Sequence, residues 1–496
     1  MRQKFSHPML LSVLTPVSDI EVPMNSRARL YAALIGLKEI YKRKKYIVDL
    51  VFADLQSNYV NSSNDLIDPI LDELGISNIK SDPCIDQDFG APGMTAWQVL
   101  AAIVIRQSLN STYDDLEVEF NQNKLVRTFL ELPNCDNTQF SESRLGKNCR
   151  KVSASTLDLI NTALIEIALE MGFEDGKEVR GDSFACKTNI HYPSDTKAIE
   201  DACHKVVDLC VGITEGHDGW RQSKKWNKDV KACVREIVEV KRSSKKDKDK
   251  KCALIKSAYE KLIKVATMIQ SKAFVTFEKN RTNILIDELG YYMCCLEMMM
   301  DLCQRRILNN ENIDVSEKIF SIFEPHTELI HRGKFPIAIE YGHRVFVAEG
   351  RSGIILDHRV MENGVIDQAE TLPMLERLNK KYGKLNVLSL DKGYNIKGFN
   401  PSEQSSKVKL FALPTKGYKN ILRKEIESTP EFVDARMWRA GVESCIGALM
   451  RGNGMDKCRD RHIRGLRRWV SAGVLSRNLI TLGRLILAKQ KSKTAS

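Results

Sequence analysis

No stretch of 18 consecutive apolar residues occurs in this chain of 496 residues. The richest run, residues 291–303, is short and broken by Glu297 and Asp301, so a membrane-spanning helix is not expected. The first 23 residues hold a short apolar run but lack a long apolar core ending at a small-residue cleavage site. They read as mature protein and not as a secretory leader. None of the 13 cysteines forms a C-x-x-C pair. An odd number of scattered cysteines reads as reduced thiols used as small hydrophobes, which points to the cytoplasm. Cys458 and His462 stand four apart, but without a second pair they make no zinc site. What is present is ordinary globular material: 43% apolar and 28% charged residues. That excludes wholesale disorder and supplies a sizeable core, over a length that suits about three domains.

Charge is unevenly placed. The net charge is +11, from 75 Lys and Arg against 64 Asp and Glu. Residues 436–496 hold 14 basic residues and only Glu443, Asp456 and Asp460 as acids, so this segment carries the whole excess. Its cations are interleaved with apolar residues, which indicates a folded polyanion-binding region and not a solvated tail. A second cluster, KRSSKKDKDKK at 241–251, alternates with Asp and lacks apolar spacing; it reads as a solvated loop between helices.

Periodicity divides the chain. Residues 30–51 carry apolar residues at helical spacing, and SSNDLIDPILDELGI reads as a short capped helix ended by Gly75. WQVLAAIVIRQSL, NSTYDDLEVEFNQN and SASTLDLINTALIEIALEMG read as three further helices. At EVRGDSFACKTNI the period becomes two, which predicts a strand containing Asp182. Helical spacing returns over about 195–315. Strands are then expected in KFPIAIEYGHRVFVAEG, GIILDHRVME, LNVLSL and VKLFALP, with a helix at TLPMLERLNKKYG. The expected organisation is a mixed or helical segment at 1–84 and an all-α domain at 85–176. An α/β domain follows at 177–488 with a helical insertion at about 195–315, then a basic tail at 489–496.

Three acids stand out. Asp182 lies in an alternating strand. Asp391 ends an apolar strand, where sites in α/β sheets collect. Glu443 is a lone acid among cations in RMWRAGVESCIGALMRGNG; on one helix Arg436, Arg439, Glu443 and Met450 would share a face. The plain alternative for Glu443 is a surface ion pair with Arg439, worth about 0.3–0.5 kcal/mol. For the two aspartates it is turn formation. Carboxylates so placed suit metal-assisted phosphodiester chemistry, which needs few protein ligands. His191 and His343 read as structural, and Trp220 and Trp226 as core.

These residues carry a resemblance. GDSFACKTNIHYPSD, VLSLDKGYN and WRAGVESCIGALMRGNGMDKCRDR resemble, in order, the three motifs of the DDE transposases of bacterial insertion sequences, most closely the ISNCY group. FEPHTELIHRGKFPIAIEYGHRVFVAE and the helical stretch at about 90–145 resemble the same family, so that coverage runs over about 85–488. The resemblance implies an RNase H-like α/β catalytic domain with a mixed sheet. The first Asp would lie on the first strand, the second would end the fourth, and the Glu would lie on a following helix.

Carried over, Asp182, Asp391 and Glu443 would be catalytic and would hold two Mg²⁺ ions, with Mn²⁺ as a substitute. Lys392, Arg439, Arg451, Lys457, Arg459, Arg461, Arg464, Arg467 and Arg468 would contact double-stranded DNA. The resemblance further implies cleavage at inverted element ends, strand transfer into target DNA, a homodimer on DNA, no membrane, and a nucleoid-associated place in the bacterial cytoplasm. A domesticated nuclease and a non-catalytic DNA-binding derivative are the alternatives. The spacing departs from that of some relatives: 208 residues separate the two aspartates and 51 separate Asp391 from Glu443. The insertion therefore branches off after the first strand. Met450 stands where relatives place a lysine, with Arg451 beside it.

Overall fold

The computed structural model describes residues 26–56, 94–132, 137–244, 247–331, 338–396 and 401–494. The short helix expected at 62–76 and most of the turn cluster at 90–95 lie outside them. The described chain is mixed α/β and forms two compact units.

In the first unit, α1 (Ser26–Arg43), α2 (Ile47–Gln56), α3 (Ala96–Leu109), α4 (Tyr113–Gln122), α5 (Lys124–Phe129), α6 (Glu142–Lys151) and α7 (Ala154–Glu170) precede the sheet. Local chemistry starts several of them. Thr95 with Gln98 closes a capping box on α3, and Thr112 with Asp115 closes one on α4. The single helical pattern read over 30–51 is two helices, broken at residues 44–46.

An open six-stranded sheet follows, built from β1 (Glu178–Lys187), β2 (Glu328–His331), β3 (Ile339–Gly350), β4 (Ile355–Met361), β5 (Leu385–Ser389) and β6 (Val408–Ala412). β3 runs antiparallel to β1, β2 and β4, whereas β5 is parallel to β1 and β6 to β5. β2 begins before the point at which strands were expected to resume. Between β4 and β5 lies α12 (Asp367–Tyr382), one turn longer at its start than the pattern indicated. After β6 come α13 (Ile421–Ser428), α14 (Pro430–Arg439), α15 (Val442–Gly447), a π-helical turn at Ala448–Gly452, and α16 (His462–Thr494). The helix expected over 436–450 is thus in pieces, interrupted at Ala440 and Gly441. α16 runs on through most of the segment read as a basic tail.

α16 is the spine of this unit. Leu475, Leu479, Leu482 and Ile486 are buried in one core with Leu30, Leu37, Val99, Ile160 and Leu164 from α1, α3 and α7. α1 and α16 approach closely at two glycines. A Cβ on Gly36 would strike the backbone of Leu479, and one on Gly483 would strike the backbone of Ala32. Only hydrogen side chains allow that separation. Among the described residues, His462–Lys493 is the one helix long and apolar enough to cross a membrane, and 83% of its apolar window is buried inside the protein.

The second unit is helical over its described residues 189–244 and 247–327. It comprises α8 (Asp195–Thr214), α9 (Ser223–Arg242), α10 (Lys248–Lys279) and α11 (Ile286–Cys303). Its core joins Ile199, Val206, Trp226, Val230, Ile237, Leu262, Ile269, Leu289 and Leu296. Trp220 and Trp226 meet edge to face with centroids 5.5 Å apart, and Trp220 Nε1 donates to Thr276 Oγ1 at 2.8 Å. Both indoles are packing residues, as the sequence suggested.

Candidate active site

Alternation along β1 puts Arg180, Asp182, Phe184 and Cys186 on one face, and Val179, Gly181, Ser183 and Ala185 on the other. On the first face Phe184 and Cys186 are buried against Cys445 and Leu449, which seats α15 and the π-turn on β1. Towards the start of the strand, Arg180 pairs with Glu349, donates to the Trp438 carbonyl, and fills the space a Cβ on residue 441 would need. The Trp438 ring lies under both Arg180 and Arg351. α14 therefore ends directly over β1, and Arg439 donates to Asp182 Oδ2 in an ion pair. The other carboxylate oxygen, Oδ1, accepts the Ser183 N–H at 2.8 Å.

Asp391 arrives from the neighbouring strand. β1 and β5 pair with Arg180 opposite Ser389, and continuing that register by two residues sets Asp391 beside Asp182. There β5 gives way to a 3-10 turn, Lys392–Tyr394, whose first N–H donates to Asp391 Oδ1 at 2.8 Å. On the opposite face of β1, Ser183 Oγ donates to Asp367 Oδ1 at 2.6 Å. Asp367 is the first residue of α12, and sequence reasoning missed it. The signal was the Asn363-Gly364 turn followed by an acid at a helix start.

Electrostatics bind these groups into one site. Burial raises the Asp182 carboxyl above its ordinary value; Arg439 and the Ser183 N–H oppose this, and Asp391 and Asp367 add to it. Burial, with Asp367 and Asp182 nearby, also pushes the Tyr394 phenol well above its usual range. The site is an acidic pair, one member of which is desolvated and ion-paired with one guanidinium. Glu443 lies one turn beyond Arg439 in sequence, on α15, and is exposed. Among the described residues no three His, Cys, Asp or Glu side chains converge to hold an ion. The structure thus brings Asp182 and Asp391 together and does not bring Glu443 into a three-carboxylate cluster with them.

The cations expected to touch DNA fall into two groups. Lys392, Arg451, Lys457 and Arg461 are exposed. Arg464, also exposed, has a partner within the protein, and Arg439, Arg459, Arg467 and Arg468 are engaged there as well. Arg459 donates to the Asn110 carbonyl at 3.1 Å and to its Oδ1 at 2.9 Å. Arg467 forks onto Glu362 at 2.8 and 2.7 Å. Arg468 donates to Asp460 Oδ2 and to the Arg150 carbonyl. Asp460 is buried between Arg468 and Arg106. Burial acts to raise its carboxyl, but the two arginines outweigh that and hold it below the ordinary value. Arg468 is therefore a member of an internal ion cluster.

Neither a protein-family model, nor a curated protein, nor a solved structure matches the chain.

The remaining expectations concern cysteine and histidine. Burial pushes the thiols of Cys149, Cys186 and Cys203 up to about 12, which leaves them protonated and inert. The Cys458 thiol donates to the Asp460 carbonyl at 3.3 Å. His343 Nδ1 lies 3.2 Å from Glu328 Oε1, and His191 Nε2 lies 2.9 Å from Asp201 Oδ2.

Proposed function

We propose that this chain is a DNA transposase of the DDE kind, cutting strands at the ends of a mobile element and joining them to target DNA. The observation that carries the reading is the placement of Asp182 within β1 and Asp391 just past the end of the adjacent parallel strand β5, with Arg439 closing over the first. The sheet supports an RNase H-like architecture. Asp182 lies on the first strand, and Asp391 follows the fourth when the four-residue β2 is set aside. Glu443 lies on a later helix seated against β1.

The donor set suits hard divalent cations: oxygen ligands only, partly desolvated, with crowded negative charge. Asp182 and Asp391 would hold Mg²⁺ or Mn²⁺, with Glu443 as the third ligand. Such ions supply a water of lowered pKa and stabilise charge on the leaving oxygen.

The chain's own groups do the rest. Arg439 favours the ionised form of Asp182 against the cost of burial, keeping its oxygens available as ligands. The Ser183 and Lys392 N–H groups fix one oxygen of each aspartate. Lys392 and Arg451, both exposed, are suited to neutralising phosphates. Attack by water on a phosphodiester releases a 3′-hydroxyl, and attack of that hydroxyl on a second phosphodiester joins the strands. Both displacements use the same in-line geometry and so can share one site.

The test is cleavage of a supercoiled plasmid carrying the DNA that flanks the gene, with Mg²⁺ or Mn²⁺, comparing the wild type with Asp391→Asn. Cuts at defined boundaries, lost in the variant while DNA binding persists, are expected. Cuts scattered over the plasmid would make the protein a nuclease. Cleavage retained by Asp391→Asn would remove Asp391 from the site.

A further inference from the structure

The helical unit carries a one-sided charge distribution that the acidic site does not use. In α9, sequence SKKWNKDVKACVREIVEVKR, Trp226, Val230 and Ile237 are buried. At 100° per residue these define the inward face. Lys224, Lys228, Lys231, Arg235 and Arg242 fall within about 40° of one line on the opposite side. All five are exposed.

The acids of α9 do not cancel this stripe. Glu236 lies towards the flank and pairs with Lys261 of α10 at 2.6 Å, and Asp229 is partly buried on the same flank. Glu239 is the one acid at the stripe's margin. None of the stripe's five cations is in an ion pair among the described residues.

A solvated helix face ordinarily mixes signs, as α10 does with Lys261, Lys264, Glu260 and Glu278. α11, in the same unit, is the reverse of α9. It holds Asp287, Glu288, Glu297 and Asp301 and no cation. The polarity therefore belongs to α9 and not to the unit's composition. Lys224 to Arg235 spans about 17 Å of helix, with a cation every three or four residues. Duplex DNA presents one phosphate charge per about 1.7 Å of axis, so such a row can face several phosphates at once.

We infer that the outward face of α9 is a second DNA-contacting surface, one that grips the duplex backbone without reading sequence. It rests on the reading of the chain as an enzyme acting on DNA. Backbone contacts fix position and carry no base information. The expected partner is therefore duplex DNA of any sequence.

The experiment uses the full chain and two 40-bp duplexes, one from the DNA flanking the gene and one unrelated. Affinity is measured by fluorescence anisotropy from 50 to 200 mM salt. The triple variant Lys228→Glu, Lys231→Glu, Arg235→Glu should weaken binding to both duplexes alike. It should also flatten the salt dependence by about 2.7 log units per log unit of salt, so that affinity falls roughly 40-fold less over that range. Its thermal melt should match the wild type, because the three side chains are exposed. A second variant, Glu239→Lys, adds a cation to the row and should steepen the slope by about 0.9. Wild-type binding that neither variant changes would overturn the assignment and leave the proposed function standing. Failure of the wild type to bind either duplex would overturn both. Loss confined to the flanking duplex would overturn the sequence-independent role.

Discussion

Arg439 of α14 is ion-paired with Asp182 of β1, across 257 residues of sequence. It is the nearest opposite charge to a carboxylate that burial and two neighbouring aspartates drive towards its protonated form. The pair therefore controls the charge state of the site as well as its geometry.

Removing that cation should move the acid limb of the cleavage profile. In Arg439→Gln the Asp182 carboxyl loses its main stabilising charge, its pKa rises further, and activity should fall off at a higher pH than in the wild type. Arg439→Lys keeps the charge and should retain most of the wild-type position. Cleavage rates measured across pH 5–8 decide this; an unmoved limb in Arg439→Gln would make the ion pair incidental.

Asp182 should also cost stability at neutral pH. Its folded value lies above its unfolded one, so its contribution favours folding at low pH and is lost as pH rises through the raised value. Asp182→Asn should therefore melt at or above the wild type at pH 7, with the difference closing as the pH falls into the carboxylate range. Its cleavage rate should nonetheless drop by at least roughly 10³-fold, about 4 kcal/mol of barrier. Melting curves at several pH values together with plasmid cleavage measure both.

Asp460 has the opposite sign. Its folded value is depressed, so its stabilisation is present above the ordinary carboxylate range and is lost as pH falls through the depressed value. Asp460→Ala would leave Arg106 and Arg468 buried without their partner and should cost about 3–5 kcal/mol in denaturant unfolding. Arg468→Gln should lower the melting temperature and leave the salt dependence of DNA binding unchanged. Arg461→Gln should do the reverse, flattening the slope by about 0.9. A stable Arg468→Gln with weakened DNA binding would return Arg468 to the interface.

The glycine contacts between α1 and α16 should tolerate little. Gly36→Leu or Gly483→Val would push the helix backbones apart and should destabilise the protein by about 1–3 kcal/mol in urea unfolding. Gly212→Ala, on α8 where a Cβ would meet only ordinary contact with Leu285, should not destabilise the protein and isolates the close approach as the cause.

Much of the sheet was legible in the sequence, because each strand carries its own period and its own terminator. Alternation located β1, and the apolar run LNVLSL ending at Asp391 located β5. What could not be read depends on partners far away in sequence. At the break at Ala440 and Gly441, Arg180, more than 250 residues earlier, occupies the space beside residue 441. Arg468 reads as a surface cation until Asp460 and Arg106 are seen around it; Arg106 lies more than 350 residues earlier in the chain. Asp367 joined the site through a hydroxyl on the opposite face of β1, a contact with no periodic signature.

The close approach of α1 to α16 also has a meaning in time. Gly36 and Gly483 are separated by more than 400 residues, which a ribosome adds at about 5–20 residues per second, so α1 waits some tens of seconds for its partner. Until α16 is synthesised, the apolar faces of α1, α3 and α7 lack their common cover. Asp182 and Asp391 likewise lack α14 and α15, which emerge shortly before α16. A nascent or truncated chain is thus a client for chaperones and proteases and holds no assembled site. The proposed DNA-cutting site is therefore complete only once translation of this region is finished.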